Sequence, residues 1–193
     1  MPRADGSQNE AFSHYKPNKK ISVMMKKMIS LVVMLFMLAT ATSFSQEKPK
    51  SPKETVKGTV GGVNVEIVYC RPSARGRKML GEHEAYGKVW RTGANEATTI
   101  KFDKPVTIEG KTLEAGIYSL WSVPGEKEWD FIFNKKTGQW GTEYESSKDQ
   151  DVLRVTVKAG KTPAFVETFT ITTDKDQVNL QWENTAVAFK VKG

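Results

Sequence analysis

Across its 193 residues the chain holds one cysteine, Cys70, and two histidines, His14 and His83. A lone cysteine excludes a disulfide framework and any multi-cysteine zinc or iron–sulfur centre. Two distant histidines leave no histidine-rich metal constellation. Long hydrophobic runs are also missing: the longest, Met28–Ala39, is interrupted only by Ser30 and is about half the ~20 residues a bilayer-spanning helix requires. Phosphate-loop, dinucleotide, hydrolase-elbow and EF-hand patterns do not occur. With 38% apolar and 26% charged positions, the composition is that of an ordinary globular protein. No cofactor and no metal are expected.

What is present begins with an address. Met25-Lys26-Lys27 is basic, Met28–Ala39 is apolar, and small or hydroxyl residues follow in Thr40-Ala41-Thr42-Ser43-Phe44-Ser45 before polarity jumps at Gln46-Glu47-Lys48-Pro49. That order is a secretory signal peptide. Cleavage is expected after Ser45, with Ala41 as the alternative, and no cysteine stands nearby to accept a lipid. Residues 1–24 are polar and patternless and read as an upstream extension, with the start at Met24 or Met25 rather than Met1. The expected location is periplasmic or extracellular, with no permanent membrane span after cleavage.

Removing the address changes the charge. Residues 1–45 contain six basic side chains (Arg3, Lys16, Lys19, Lys20, Lys26, Lys27) and two acidic ones (Asp5, Glu10), so the chain's net +7 falls to +3, from 23 basic and 20 acidic residues. Such a balance gives no dense basic face, and no nucleic-acid partner is expected.

Beyond a charged, proline-bearing stretch at 46–56, read as a flexible tether, period-2 patterns dominate the domain over 57–193. Val63, Val65, Ile67 and Tyr69 alternate with Asn64, Glu66 and Val68, as a half-buried strand should. Gly61-Gly62 just before them signals a hairpin turn. Further strands are predicted over Thr98–Phe102, Val106–Ile108, Gly116–Val123, Trp129–Phe133, Val152–Val157, Phe165–Thr172, Val178–Trp182 and Val187–Val191. Turn clusters separate them, among them Glu109-Gly110-Lys111 and Thr173-Asp174-Lys175-Asp176. No window carries a helical stripe. The fold class is all-β, a single antiparallel sandwich or jelly-roll-like domain.

Residues 69–97 break this rhythm, running Tyr69-Cys70-Arg71-Pro72 and, later, Val89-Trp90-Arg91-Thr92-Gly93-Ala94-Asn95-Glu96. Together with Leu113–Leu120 and Phe133-Asn134 through Trp140-Gly141, these segments resemble a family of secreted bacterial proteins. That family is common in the Bacteroidetes group and known only as a domain of unknown function. The resemblance extends from about Ser51 to Val191. It implies a compact, mostly β, exported domain and brings no reaction with it.

The candidate residues concentrate in that irregular stretch. Arg71, Arg75, Arg77, Lys78 and Arg91 are read as a converging anion site, since guanidinium forks match carboxylate and phosphate geometry; the alternative is solvated charges with one structural pair, Arg91 with Glu96. Asn95 and Glu96 are candidates for sugar hydroxyls, Glu96 also for general acid–base work, against a plain turn role for Asn95. Of five tryptophans, Trp121, Trp129 and Trp182 fall in strand alternation and are expected in the core. Trp90 and Trp140 flank glycines and are the expected ligand contacts. A Cys70–His83 dyad oriented by Glu82 or Glu84 is enforced by no spacing, and Cys70 reads as a small buried hydrophobe.

Two functions of different class follow. The favoured one is a non-catalytic binding module for a small anionic or sugar-like ligand, held by Arg71, Arg75, Arg77, Trp90, Arg91, Asn95, Glu96 and Trp140. The second is an envelope- or glycan-directed hydrolase or lyase using Glu96 and Arg91. A structural or assembly partner in the cell envelope is the third. Convergence of Arg71, Arg91 and Glu96 in an open concavity separates these readings from scaffolding.

Overall fold

Strands β1 (Lys53–Val60) and β2 (Val63–Cys70) pair antiparallel, with Val60 opposite Val63 across the two-residue turn Gly61-Gly62. Both glycines have positive φ, 58° and 85°, the geometry a tight hairpin demands. Gly61 is fixed a second way, because a Cβ there would lie 2.2 Å from the Val191 carbonyl. The computed structural model describes residues 19–39 and 50–193.

The remaining strands are β3 (Thr98–Phe102), β4 (Val106–Ile108), β5 (Lys111–Leu113), β6 (Gly116–Val123), β7 (Glu128–Asn134), β8 (Asp151–Lys158), β9 (Gly160–Thr173) and β10 (Gln177–Lys192). They form two antiparallel sheets, ordered β1-β2-β3-β6-β7-β8 and β5-β4-β10-β9. The all-β sandwich expected from the alternation is the architecture found. Its interior is built by period 2: Val63, Val65, Ile67, Tyr69, Tyr118, Leu120, Phe131 and Phe133 come from one sheet. Ile108, Phe169, Ile171, Leu180, Phe189 and Val191 come from the other. Each fully buried side chain of this size contributes about 1.5–3 kcal/mol, so the inter-sheet face dominates stability.

Three departures have physical causes. The stretch read as a tether over 46–56 is strand from Lys53 onward: β1 is an edge strand, and its charged Lys53, Glu54 and Lys57 hide the alternation, as edges commonly do. Strand β5 is not among the predicted strands and begins at the last residue of a predicted turn, where Glu109 (φ 47°) and Gly110 (φ 81°) make a two-residue hairpin that starts β5 at Lys111. The two segments expected at 178–182 and 187–191 are one strand, β10, bulged around Glu183 (φ 53°), whose polar surroundings interrupt the apolar pattern.

The second face of the six-stranded sheet is also covered. On β6, Tyr118 and Leu120 point into the inter-sheet core, and Trp121 points the opposite way, joining Ala97 and Ile132 in a smaller cluster under Tyr144. The cover is the segment between β7 and β8, which includes two single-turn 3-10 helices, Tyr144–Ser146 and Lys148–Gln150. A buried polar set pins it: Asn134 Nδ2 donates to the Ser147 carbonyl (2.6 Å) and Gln139 Nε2 to Ser147 Oγ (2.5 Å).

The chain divides into units Met1–Glu47 and Lys48–Gly193. In the first, helix α1 (Lys19–Ala39) contains the apolar segment read as a signal-peptide core, and it begins earlier than the patternless reading of residues 1–24 implies. The cleavage points at Ala41 and Ser45 lie outside the described residues. No helix among the described residues is long and apolar enough to cross a membrane.

Candidate functional site

The Trp-Arg-Thr-Gly-Ala-Asn-Glu segment is held as a rigid loop between two recesses. Trp90 pairs with Ser122 at the end of β6 through two backbone bonds, N to O at 2.7 and 2.8 Å. Its ring enters the inter-sheet core, 3% exposed, stacked on Trp182 (5.6 Å, 14°) and edge-on to Trp129 (6.0 Å). Trp90 is therefore a core residue rather than a ligand contact; its indole N–H is spent on the Gly93 carbonyl (3.0 Å). Alternation then sends the next side chain, Arg91, to the opposite face, the side of Trp121.

Beyond Arg91 the backbone is strained. Thr92 has φ 54° and Asn95 φ 60°, and positive φ is a true outlier for a β-branched residue. Burial holds Thr92 in place: its hydroxyl donates to Ser122 Oγ (2.9 Å) and its carbonyl accepts from Thr98 Oγ1 (2.7 Å). The loop is also locked to residues 138–141, through Ala97 N–H to the Gln139 carbonyl (3.0 Å), Gly141 N–H to the Asn95 carbonyl (3.0 Å) and an antiparallel bridge between Glu96 and Trp140. Strain held by such surroundings clusters at binding and catalytic sites.

The first recess, about 630 Å³, is lined by Lys88, Arg91, Trp121, Gly141, Tyr144 and Glu145 among others. Arg91 Nε and Trp121 Nε1 are both buried and find no acceptor in the protein. Among the described residues no carboxylate lies within ion-pair distance of Arg91 or Lys88, whereas Glu145 is committed to Lys148 at 2.9 Å. Burial pushes the nearby Glu84 carboxyl up, and the Arg91 charge pulls against it. Buried N–H donors without partners cost about 1–3 kcal/mol each, and here two of them, one cationic, belong to neighbouring residues that line a single cavity.

The second recess, about 310 Å³, is lined by Lys53, Val68, Cys70, Glu96, Thr99 and Gly138 among others. Glu96 Oε1 pairs with Lys53 Nζ (3.4 Å), and Oε2 accepts from the Cys70 thiol (3.6 Å). Its own backbone N–H, with Lys53 and Cys70, holds the Glu96 carboxyl below the usual range. Burial, with the Glu96 charge adding to it, pushes the Cys70 thiol up. Cys70 faces Glu96, not His83. Asn95 takes the left-handed turn conformation of its plainer reading. Trp140 is 51% exposed. Among the described residues no cluster of three or more His, Cys, Asp or Glu could hold a metal ion.

The predicted convergence of arginines does not occur. Arg71 is a clamp between the sheets: Nη1 pairs with Glu54 of β1 (2.6 Å), and Nε and Nη2 donate to the Phe169 carbonyl (3.2 Å) and Thr170 Oγ1 (2.8 Å) of β9. Arg75 Nη2 donates to the Lys50 carbonyl (2.9 Å) and Arg77 Nε to the Ala74 carbonyl (3.0 Å). Lys78 pairs with Glu82 (3.8 Å). Their loop closes along the β9 edge through the Ser73–Thr168 bridge, and none of them lines the recess of Arg91. The Arg91–Glu96 pair is not formed either, since the two line different recesses.

Sequence reasoning missed Lys88, Trp121 and Tyr144 as neighbours of Arg91, and Lys53 as the partner of Glu96. Parity carried a signal for Trp121, which shares its β6 face with Ser119 and not with Leu120. Nothing local marked Lys53 or Tyr144.

A family model described as "Protein of unknown function (DUF2911)" matches residues 51–191. Comparison with curated proteins and with solved structures gives no match.

Proposed function

The chain belongs to the DUF2911 family, whose description carries no activity, and from the recess itself we propose that it is an exported binding module for a small anionic ligand. The observation that carries this reading is Arg91, which lines the cavity beside Lys88 with no carboxylate among the described residues at ion-pair distance and whose buried Nε finds no acceptor in the protein. A guanidinium offers the forked geometry that carboxylates and phosphates fit. Lys88 adds positive charge at the same recess. Export is supported by the basic, apolar and small-residue order of residues 25–45, and places the ligand in the periplasm or outside the cell.

The hydrolase or lyase reading requires Glu96 and Arg91 on one reacting group. Their placement in separate recesses removes that support, and Glu96 is already tied to Lys53. Binding without chemistry is the better account.

The test follows the Trp121 indole N–H by heteronuclear NMR during titration with D-glucuronate, D-galacturonate, inorganic phosphate and sulfate. At least one of these anions shifts that resonance saturably, and Arg91→Met abolishes the shift. A Trp121 signal unmoved by all four at millimolar concentration, or moved equally in the variant, overturns the proposal.

A further inference from the structure

We infer that the Arg91 recess is one end of a longer saccharide site, that Trp140 and the Glu96–Lys53 recess form its second subsite, and that the ligand class is an acidic oligosaccharide. This rests on the anion reading of Arg91. It adds a ligand class, a second subsite and a distance between the two.

The distance comes from the chain. Gly138 lines the Glu96 recess and Gly141 lines the Arg91 recess. Three residues of fully extended chain span at most about 11 Å, so these two glycines, one on each recess, are no farther apart than that. That reach corresponds to two or three linked sugar rings. The segment between the recesses cannot drift, because residues 138–141 are locked to the Arg91–Glu96 loop by the two backbone bonds and the bridge described above.

Trp140 lies in this connecting segment. Its ring is 51% exposed although its backbone is pinned at both neighbours and its own N–H donates to Glu143 Oε2 (3.1 Å). Directly opposed residues of an antiparallel bridge send their side chains to the same face, so the indole and the Glu96 carboxylate leave together. An exposed aromatic face beside an ionised carboxylate and an ammonium group is the chemistry that holds a pyranose: the apolar ring face packs on the indole, and the hydroxyls meet charged acceptors and donors. Glu96 and Lys53 remain 44% and 59% exposed at their side chains, open to a ligand despite their mutual contact. A peptide with a free carboxylate would also satisfy Arg91. An exposed indole next to a recess whose polar groups include Lys53, Glu96 and Thr99 and whose remaining lining includes Val68 and Ala97 suits the mixed apolar and hydroxyl faces of a sugar better than a peptide side chain.

The experiment compares affinities by titration calorimetry, using the full chain. The probes are D-galacturonate and D-glucuronate, their tri- and tetrasaccharide homologues, alginate and hyaluronan fragments, a neutral cello-oligosaccharide and a carboxylate-terminated tripeptide. At least one acidic oligosaccharide is expected to bind roughly tenfold tighter than its monosaccharide. Trp140→Ala and, independently, Glu96→Gln bring oligosaccharide affinity down to that of the monosaccharide. Arg91→Met weakens both. If the monosaccharide binds through Arg91 but no oligosaccharide gains, or the gain survives in both variants, the second subsite is overturned while the anion site stands. Tighter binding of the tripeptide or of the neutral saccharide than of every acidic one overturns the ligand class. Binding of phosphate alone through Arg91 does the same. If no anion at all acts through Arg91, both proposals fall together.

Discussion

Arg91 lies flat across the backbone of Gly141, so closely that a Cβ on Gly141 would stand 2.0 Å from Arg91 Cδ and 2.6 Å from Nη1. The obstacle is a flexible side chain and not backbone, so the fold can accommodate Gly141→Ala by swinging the guanidinium aside. We expect unfolding free energy to change by no more than about 1 kcal/mol, with anion affinity reduced roughly tenfold or more. Thermal unfolding and titration of the same preparation check this. A retained affinity would show that Arg91 reaches the ligand from another rotamer.

Trp90→Ala should act in the opposite manner. The ring is stacked on Trp182 and contacts Phe169 at 5.0 Å, and large aromatic truncations in a core cost about 3–5 kcal/mol. Urea unfolding should show that loss. A change below about 1 kcal/mol would remove Trp90 from the core.

Glu183, at the bulge of β10, is 8% exposed and accepts the backbone N–H groups of Met79 (2.8 Å) and Leu80 (2.9 Å). Glu183→Ala leaves both donors buried and unpaired, a loss of about 3 kcal/mol in total. Denaturant unfolding measures that loss, and faster hydrogen exchange at Met79 and Leu80 localises it. Unaltered exchange at those two amides would show that other ties, such as Ala74 N–H to the Glu167 carbonyl (2.9 Å), hold the loop without Glu183.

Alkaline pH is expected to destabilise the domain through its tyrosines. Burial, then the hydrogen bond to Asp151 Oδ2 (2.5 Å) and that carboxylate's charge, push the Tyr144 hydroxyl far above its ordinary range. Burial raises Tyr69 and Tyr118 in the same direction. A raised folded-state value means that the stabilisation is complete below the unfolded value, near pH ~10, and is lost as pH rises from there toward the folded one. Melting temperature should therefore fall above about pH 10. The fall should be shallower in Tyr144→Phe, and an identical slope in that variant would contradict the assignment.

Much of the sandwich was legible because period 2 reports burial directly: Val63 to Tyr69 and Trp129 to Phe133 need only their own neighbours to be read. Strand β1 escaped because an edge strand carries charge for reasons unrelated to its pairing, and β10 was divided because Glu183 is buried by contacts a hundred residues away. The candidate site shows the same limit. Arg91 was identifiable beside a tryptophan and a glycine, but whether an arginine is free depends on what its donors meet, and Arg71 meets Glu54, Phe169 and Thr170 across the sandwich. Trp140 could be singled out by its small neighbours. Its place between Gly138 of one recess and Gly141 of the other is set by the loop it is locked to.

Because Trp90 and Arg91 are consecutive and face opposite sides of one backbone, the packing of the aromatic interior and the aim of the guanidinium share a hinge. A lineage that retuned one would disturb the other, so variation at the outer cavity should be tolerated at Thr142, which also lines it, long before it is tolerated in the dipeptide itself.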